Sequence, residues 1–262
     1  MAKIMWIGGS HRRHLYYVNT ISQLFEISGG IMEVREEMIP KPPDGLGDID
    51  LRNFLLHFAR RSYMEKQYFG KQPLPRFPLL RVNKDNLNSQ ESVDFVKSIN
   101  PDLVVIFGCG MIREPLFAAL PEDKINLHLG LSPRYRGAAT LFWPFYFLEP
   151  QYAGTTFHYI VDEPDAGDIV HQTVPELNRY DTLHDVGCKA VVQSTQDAIR
   201  LLELYGTWKT HKQRSTGKNF LASDFIPEHL RMIYTVYDDD IVKRVFDGEL
   251  PSKTPKLFRQ FT

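Results

Sequence analysis

The stretch DLVVIFGCGMIREPLFAALPEDKINLHLG (102–130) decides the fold. Its opening, DLVVIF, has the length and β-branched content of a buried strand, and Gly108-Cys109-Gly110 breaks it. REPLFAAL (113–120) starts a helix, and INLHLG (125–130), reached through Pro121, reads as a further strand. A strand, a helical crossover and a second strand make the unit from which parallel sheets are built.

The pattern extends in both directions. KIMWIG (3–8) is a short apolar strand, Gly8-Gly9-Ser10 a turn, and residues 12–27 a helix ended by Gly29-Gly30, with IMEVREEMI (31–39) alternating like a strand. The turn lacks the GxGxxG spacing, so a dinucleotide site is not indicated. LRNFLLHFARRSYMEKQYFG (51–70) places Leu51, Phe54, Leu55, Phe58 and Tyr63 at helical spacing, and the prolines of 71–80 make a surface connection. SQESVDFVKSIN (89–100) is a helix with Ser89 as its N-cap. Beyond 130, TLFWPFYFLE (140–149) is an aromatic, helix-like run interrupted by Pro144. GTTFHYIV (154–161) and DIVHQTV (168–174) pair as strands, and 182–206 is the longest helix, capped by Asp181 or Thr182. This succession predicts an α/β protein of three layers with a mostly parallel central sheet. After Gly206 the pattern changes, so 1–206 is expected to form the main domain. Residues 207–262, with a helical segment near 226–246, form a small C-terminal appendage packed on it.

Composition narrows the function. The 262 residues are 43% hydrophobic and 24% charged, enough for a sizeable core without staples. A formal net charge of −1 does not suit a main partner made of nucleic acid, and the basic pairs Arg12–Arg13 and Arg60–Arg61 read as solvated helix faces. Cys109 and Cys188 are too few for a disulfide framework or a thiolate metal site. No apolar run approaches about eighteen residues. MAKIMWIGG is too short for a signal peptide. A cytoplasmic protein with no membrane partner is expected.

The candidate chemistry lies in two segments. Asn126 and His128, two apart on a strand, share one face near its carboxyl end, where open α/β sheets hold ligands. The amide can donate to a developing oxyanion and the imidazole can move a proton, although such a pair is commonly structural. In LSPRYRGAAT (131–140), Arg134 and Arg136 either bind a phosphate or carboxylate or lie on a solvated turn, and Gly137 lets backbone approach a ligand. Asp162, Glu163, Asp165 and Asp168 crowd one loop, but no metal-ligand spacing accompanies them, so no metal is expected. A single carboxylate, Asp165, that orients His128 and shuttles a proton makes better use of that loop. His158 either lines the site or is structural. No GxSxG occurs, and Cys109 lacks a basic partner, which disfavours a covalent acyl-enzyme.

In order and spacing, N-x-H, then L-S-P-x-Y-R-G, then G-T-T-x-H-x-x-x-D-E-x-D-A-G-D-I resemble the folate-dependent formyltransferase family. The resemblance covers residues 100–200 well and the first hundred more loosely. It implies a Rossmann-like formyltransferase fold, catalytic roles for Asn126, His128 and Asp165, 10-formyltetrahydrofolate as donor and a primary amine as acceptor, with no metal. The pterin would lie against the backbone of FGCGMI, at Phe107, Gly108, Gly110, Met111 and Ile112, and of the acidic loop at Asp162 and Glu163. In the implied mechanism Asn126 and protonated His128 stabilise a tetrahedral oxyanion, while Asp165 holds the imidazole and relays a proton through water.

GGSHRRHLYYV, RRSYMEKQYFG, ATLFWPF and DFIPEHLRMIYTVYDD look most like the sugar-nucleotide branch. The expected acceptor is therefore a nucleotide-linked amino sugar of the kind used in lipopolysaccharide O-antigen biosynthesis. A 4-amino-4,6-dideoxyhexose on GDP or dTDP, perosamine among the candidates, would be typical. Arg134 or Arg136 would hold the diphosphate beside Gly137, and Tyr135 or Trp143 would stack on the base. Arg12, Arg13 and His14 either contact a phosphate at the helix start or leave at least one arginine at the surface. Members acting on methionyl-tRNA normally carry a larger basic C-terminal domain, and those acting on glycinamide ribonucleotide a Gly-rich phosphate turn that GGSHRR reproduces only in part. Both remain alternatives, as does a catalytically inactive folate- or nucleotide-binding module. Phe225, Tyr234, Tyr237 and Phe246 serve either a homodimer contact or the docking of the appendage.

Overall fold

The computed structural model describes residues 2–213 and 217–261. Nine strands are found among them: β1 (Ile4–Gly9), β2 (Ile27–Glu33), β3 (Leu79–Val82), β4 (Leu103–Phe107), β5 (Asp123–His128), β6 (Tyr135–Gly137), β7 (Thr155–Tyr159), β8 (Ile169–Thr173) and β9 (Lys218–Phe220). Seven form the central sheet in the order β3-β2-β1-β4-β5-β7-β8, and β6 pairs with β9. The first five run parallel, whereas β7 and β8 are antiparallel to their neighbours.

Alternation along β1 explains the three layers. Trp6 faces a cluster with Leu15, Tyr17, Val18 and Ile21 of α1 (Arg12–Ile21), Phe69 of α2 (Asp48–Phe69), and Val191 and Leu201. Met5 and Ile7 face the opposite cluster, with Val96 of α3 (Gln90–Ile99) and Leu116 of α4 (Leu116–Ala119). Strands covered on both faces read as near-continuous apolar runs, as DLVVIF does. α5 (Trp143–Tyr146) is a single turn started by Pro144 near its first position. α6 (Leu183–Glu203) starts at Thr182, whose hydroxyl accepts the Asp185 N–H while the Asp185 carboxylate accepts the Thr182 N–H at 3.0 Å.

Several elements depart from expectation. Helix α1 ends at Ile21, so Gly29-Gly30 lies inside β2 and does not stop a helix. A Cβ at Gly29 would come within 2.7 Å of Ile99, and one at Gly30 equally close to Phe77, so the strand needs glycine there for packing. The connection after Pro78 holds edge strand β3. The buried face of α2 is mostly polar, with Asp50, Asn53, His57 and Glu65 beside Phe54 and Phe69, whereas Leu55 and Tyr63 are exposed. The segment near 226–246 is broken into short turns, including a π-turn at Met232–Val236, and α7 (Ile241–Phe246). Asp238 and Asp239, at φ 51° and 61°, take left-handed backbone that ends regular helix there.

Phe220, Leu230, Ile233, Tyr234, Ile241 and Val242 pack with Phe54, Tyr135, Trp143, Phe145 and Leu183 in a third apolar cluster. Phe225 and Tyr237 pack against it, and Phe246 is exposed. The chain end crosses β8, where Phe258 accepts the Gln172 N–H at 2.7 Å and Gln260 donates its N–H to His171 Nδ1 at 3.1 Å. Covering an edge strand removes a template for unwanted pairing. No helix among the described residues is long and apolar enough to cross a membrane.

Candidate active site

The antiparallel register of β5 on β7 sets Asn126 opposite His158 and His128 opposite Thr156. Asp165 arrives from the β7–β8 loop with φ 51°, a conformation that aspartate adopts more readily than most residues. Its Oδ2 lies 3.4 Å from His128 Nδ1 and accepts the Gly137 N–H at 3.0 Å, and its Oδ1 lies 3.3 Å from His158 Nε2. Asn126 Nδ2 is 3.3 Å from His158 Nε2. Four polar side chains from two strands and a loop thus converge at the end of β5.

Protons can be assigned from the partners. His158 Nδ1 faces the Tyr159 carbonyl at 2.8 Å, which can only accept, so Nδ1 carries a proton. Nε2 then faces both the Asn126 amide and Asp165 Oδ1: it accepts from the amide in the neutral ring and donates to the carboxylate in the imidazolium. His128 Nε2 likewise donates to the Tyr135 carbonyl at 2.8 Å, leaving Nδ1, beside Asp165, as the titrating nitrogen. Burial lowers the His128 pKa from its ordinary value, and the Asp165 charge only partly restores it. Burial would raise the Asp165 carboxyl, but His128, His158 and the Gly137 N–H outweigh it and hold the group well below the usual carboxylate range. Asp165 is therefore ionised at neutral pH.

This cluster borders a cavity of about 280 Å³ lined by Gly110, Met111, Ile112, Asn126, His158 and Asp165. Gly110, Met111 and Ile112 thus wall this cavity. Phe107 turns into the core, its ring 4.8 Å from His14 and 5.2 Å from Tyr17, and Gly108, at φ 77°, abuts His14. Asp162 and Glu163 are exposed, and their neighbours Val161 and Pro164 line the cavity. His128 lines neither this cavity nor the next, and both its nitrogens already face oxygens.

A second cavity, of about 490 Å³, opens on the other side of the β5 end, where Leu129 and Ala138 line it. Its polar wall holds Arg13, Arg61, Glu65, Glu36, His57 and His184. Glu65 is 1% exposed and accepts from Arg13 Nη2 and, at 3.3 Å, from Arg61 Nε. Burial pushes Arg61 down to about 10. These arginines are not the solvated helix faces their sequence suggests. The (i, i+4) spacing of Arg61 and Glu65 was a visible signal, but Arg13 reaches them only through the fold.

The residues expected to hold a nucleotide are placed differently. The rings of Tyr135 and Trp143 stack on Phe220, at 6.0 Å and 4.7 Å, and both residues are buried. Such covered rings cannot stack on a base, because the apolar cluster already uses them. Arg134 pairs with Glu149 at 2.6 Å, and Glu149 also accepts from the Tyr135 hydroxyl and Lys253. Arg136 is buried and pairs with Glu163 at 3.0 Å. Gly137, at φ 89°, lies against Phe220 backbone and gives its N–H to Asp165. Among the described residues no three His, Cys, Asp or Glu side chains are grouped to hold a metal.

A mostly parallel sheet thus carries an amide, two imidazoles and a carboxylate at the end of one strand. The family model for formyl transferase matches residues 58–199, and the chain belongs to that family. Over 118 residues it is 32% identical to the methionyl-tRNA formyltransferase of Clostridioides difficile, a match covering 44% of this chain and 38% of that protein. The chain thus matches well under half of that relative's length. The fold resembles phosphoribosylglycinamide formyltransferase from Anaplasma phagocytophilum, with a TM-score of 0.56, 17% identity, and 84% and 98% of the two chains covered. It also resembles the formyltransferase PseJ from Anoxybacillus kamchatkensis, solved with UDP-4,6-dideoxy-4-formamido-L-AltNAc and tetrahydrofolate. There the TM-score is 0.51, the identity 19%, and the coverage 92% and 96%.

Proposed function

We propose that this protein transfers a formyl group from 10-formyltetrahydrofolate to the primary amine of a nucleotide-linked amino sugar. The observation that carries this reading is that Asn126 and Asp165 line the cavity beside Gly110–Ile112, while Gly137 of that cavity adjoins Ala138 of the one beside Arg13 and Arg61. A reaction of two substrates needs two sites meeting at one set of polar groups.

The reduced folate, when bound beside Gly110–Ile112, supplies a formyl carbon open to attack by an amine. Asn126 gives one amide N–H to His158 and keeps the other for an oxygen that gains negative charge. Asp165 faces the cavity as a carboxylate and receives the proton that the amine loses. His128 stands behind it, and its Nδ1 takes that proton on as an imidazolium paired with Asp165 and the Tyr135 carbonyl. The proton would return through Asp165 to the folate nitrogen as the bond between that nitrogen and the formyl carbon breaks, releasing tetrahydrofolate and the N-formyl product. Gly137 anchors Asp165 throughout.

The second cavity supports a phosphate-bearing acceptor. Arg13 and Arg61, with the carboxylates of Glu65 and Glu36, line a partly apolar cavity of nucleotide-sized volume, and a guanidinium can pair with a phosphate there. A sugar nucleotide appears among the fold neighbours, as the ligand solved with PseJ. A second reading, methionyl-tRNA as acceptor, is favoured by the sequence match to the Clostridioides difficile protein. Purified protein is given 10-formyltetrahydrofolate with GDP-, dTDP- and UDP-linked amino sugars, glycinamide ribonucleotide and methionyl-tRNA, and the products are weighed by mass spectrometry. A formylated nucleotide sugar is the expected product. Formylation of methionyl-tRNA or glycinamide ribonucleotide alone would overturn the acceptor.

A further inference from the structure

Glu33 closes β2 and is 1% exposed, an unusual place for a carboxylate. A buried charge is tolerated only where it is paired and hydrogen-bonded. Glu33 Oε1 accepts from Arg35 Nη1 at 2.8 Å, and Oε2 accepts the Gly110 N–H at 2.5 Å. A Cβ on Gly110 would come within 3.1 Å of Oε2, so the carboxylate would have to give by a few tenths of an ångström to admit it.

That contact matters because residues 108–112 have no regular structure, yet Gly110, Met111 and Ile112 wall the 280 Å³ cavity. The far side of the turn is held by Asn88, which donates to the Met111 carbonyl at 3.0 Å and accepts the Arg113 N–H at 2.8 Å. On the near side, the Gly110 N–H is held by Glu33. A loop pinned in its bound shape loses less freedom when ligand arrives.

We propose that Glu33 is a positioning residue for the formyl donor, acting through the Gly110 N–H to hold the cavity wall in its binding shape. The proposal rests on reading that cavity as the reduced-folate site. Its Arg35 partner also reaches Glu36 at 3.1 Å, and Glu36 lines the second cavity, so the anchor stands between the two sites.

Equilibrium binding of tetrahydrofolate is measured by fluorescence quenching for wild type, Glu33→Gln, Glu33→Met and Gly110→Ala. Glu33→Met, which has no oxygen for the Gly110 N–H, and Gly110→Ala, which pushes the carboxylate away, are expected to raise Kd about tenfold or more. Glu33→Gln keeps an amide oxygen for the same N–H and is expected to stay within about threefold of wild type. Steady-state kinetics should show the donor KM rising in Glu33→Met while kcat at saturating donor and the acceptor KM hold. Wild-type affinity in Glu33→Met overturns the proposal, as does a Gln variant no better than Met, which would assign the effect to the Arg35 pair. If Glu33→Met does not fold, Gly110→Ala decides alone, since it crowds the carboxylate at the Gly110 N–H while keeping both Glu33 and Arg35. Wild type that binds no tetrahydrofolate would remove the folate reading itself, and this proposal with it.

Discussion

Asn126 Nδ2 lies 3.3 Å from His158 Nε2, across the antiparallel pair β5–β7, and this contact fixes which way the Asn126 amide faces. The proton on His158 Nδ1, held by the Tyr159 carbonyl, is what makes Nε2 an acceptor. His158→Phe removes that acceptor and frees the amide to rotate. The expected result is a fall in kcat of about 10²-fold, the scale of a lost oxyanion donor. KM for both substrates should change little, since the ring volume is kept. Unchanged kcat would show that Asn126 needs no such support.

Asp165 touches both His128 and His158. Asp165→Asn keeps the shape and the acceptor for the Gly137 N–H but removes the charge that receives the amine proton. A loss of about 10²–10⁴-fold in kcat is expected, the range of general acid–base catalysis. A pre-steady-state burst of product in this variant would place the slow step elsewhere and remove Asp165 from the chemistry.

Arg13 and Arg61 meet at Glu65 inside the larger cavity. Arg13→Met is expected to raise the acceptor KM about tenfold, the loss of one charged contact to a phosphate, while tetrahydrofolate affinity stays as in wild type. Glu65→Leu leaves both guanidinium groups without their buried partner and should lower stability by about 3–5 kcal/mol. Chemical denaturation reads the second effect and initial rates the first. An acceptor KM unmoved by Arg13→Met would separate this cavity from the acceptor.

His57 is buried between Tyr234, whose hydroxyl is 2.9 Å from Nδ1, and His184. Burial pushes it from 6.5 down to about 3, so the folded ring stays neutral where the unfolded one is protonated. Its contribution to stability is full above about pH 6.5 and is lost as pH falls toward 3, at no more than about 1.4 kcal/mol per pH unit. Urea unfolding between pH 7 and pH 5 should therefore show a smaller decline in His57→Leu than in wild type. Identical slopes would mean that His57 does not carry this linkage.

The parallel core was legible because buried strands such as LVVIF and their turns announce themselves locally. Asn126 and His128 were legible for the same reason, since a period of two puts them on one face. What lay hidden depends on contacts between distant segments. His158 becomes informative only through its register opposite Asn126, and Arg13 only through Glu65. The sequence offers Tyr135 or Trp143 to stack on a base because nothing local shows what covers either ring. Phe220, more than seventy positions later, covers them both. The glycines of β2 misled in the opposite way, since a pair that often ends a helix was needed for close packing against Phe77 and Ile99.

Single-turnover transfer from isotopically labelled 10-formyltetrahydrofolate to a nucleotide-linked amino sugar, read by mass spectrometry, tests the central claim most directly. Wild type should give a nucleotide sugar carrying the labelled formyl group, and Asn126→Ala should form it at least about 10²-fold more slowly while still binding tetrahydrofolate. Transfer at the wild-type rate in Asn126→Ala, or no labelled nucleotide sugar from wild-type protein that binds both ligands, would contradict the account.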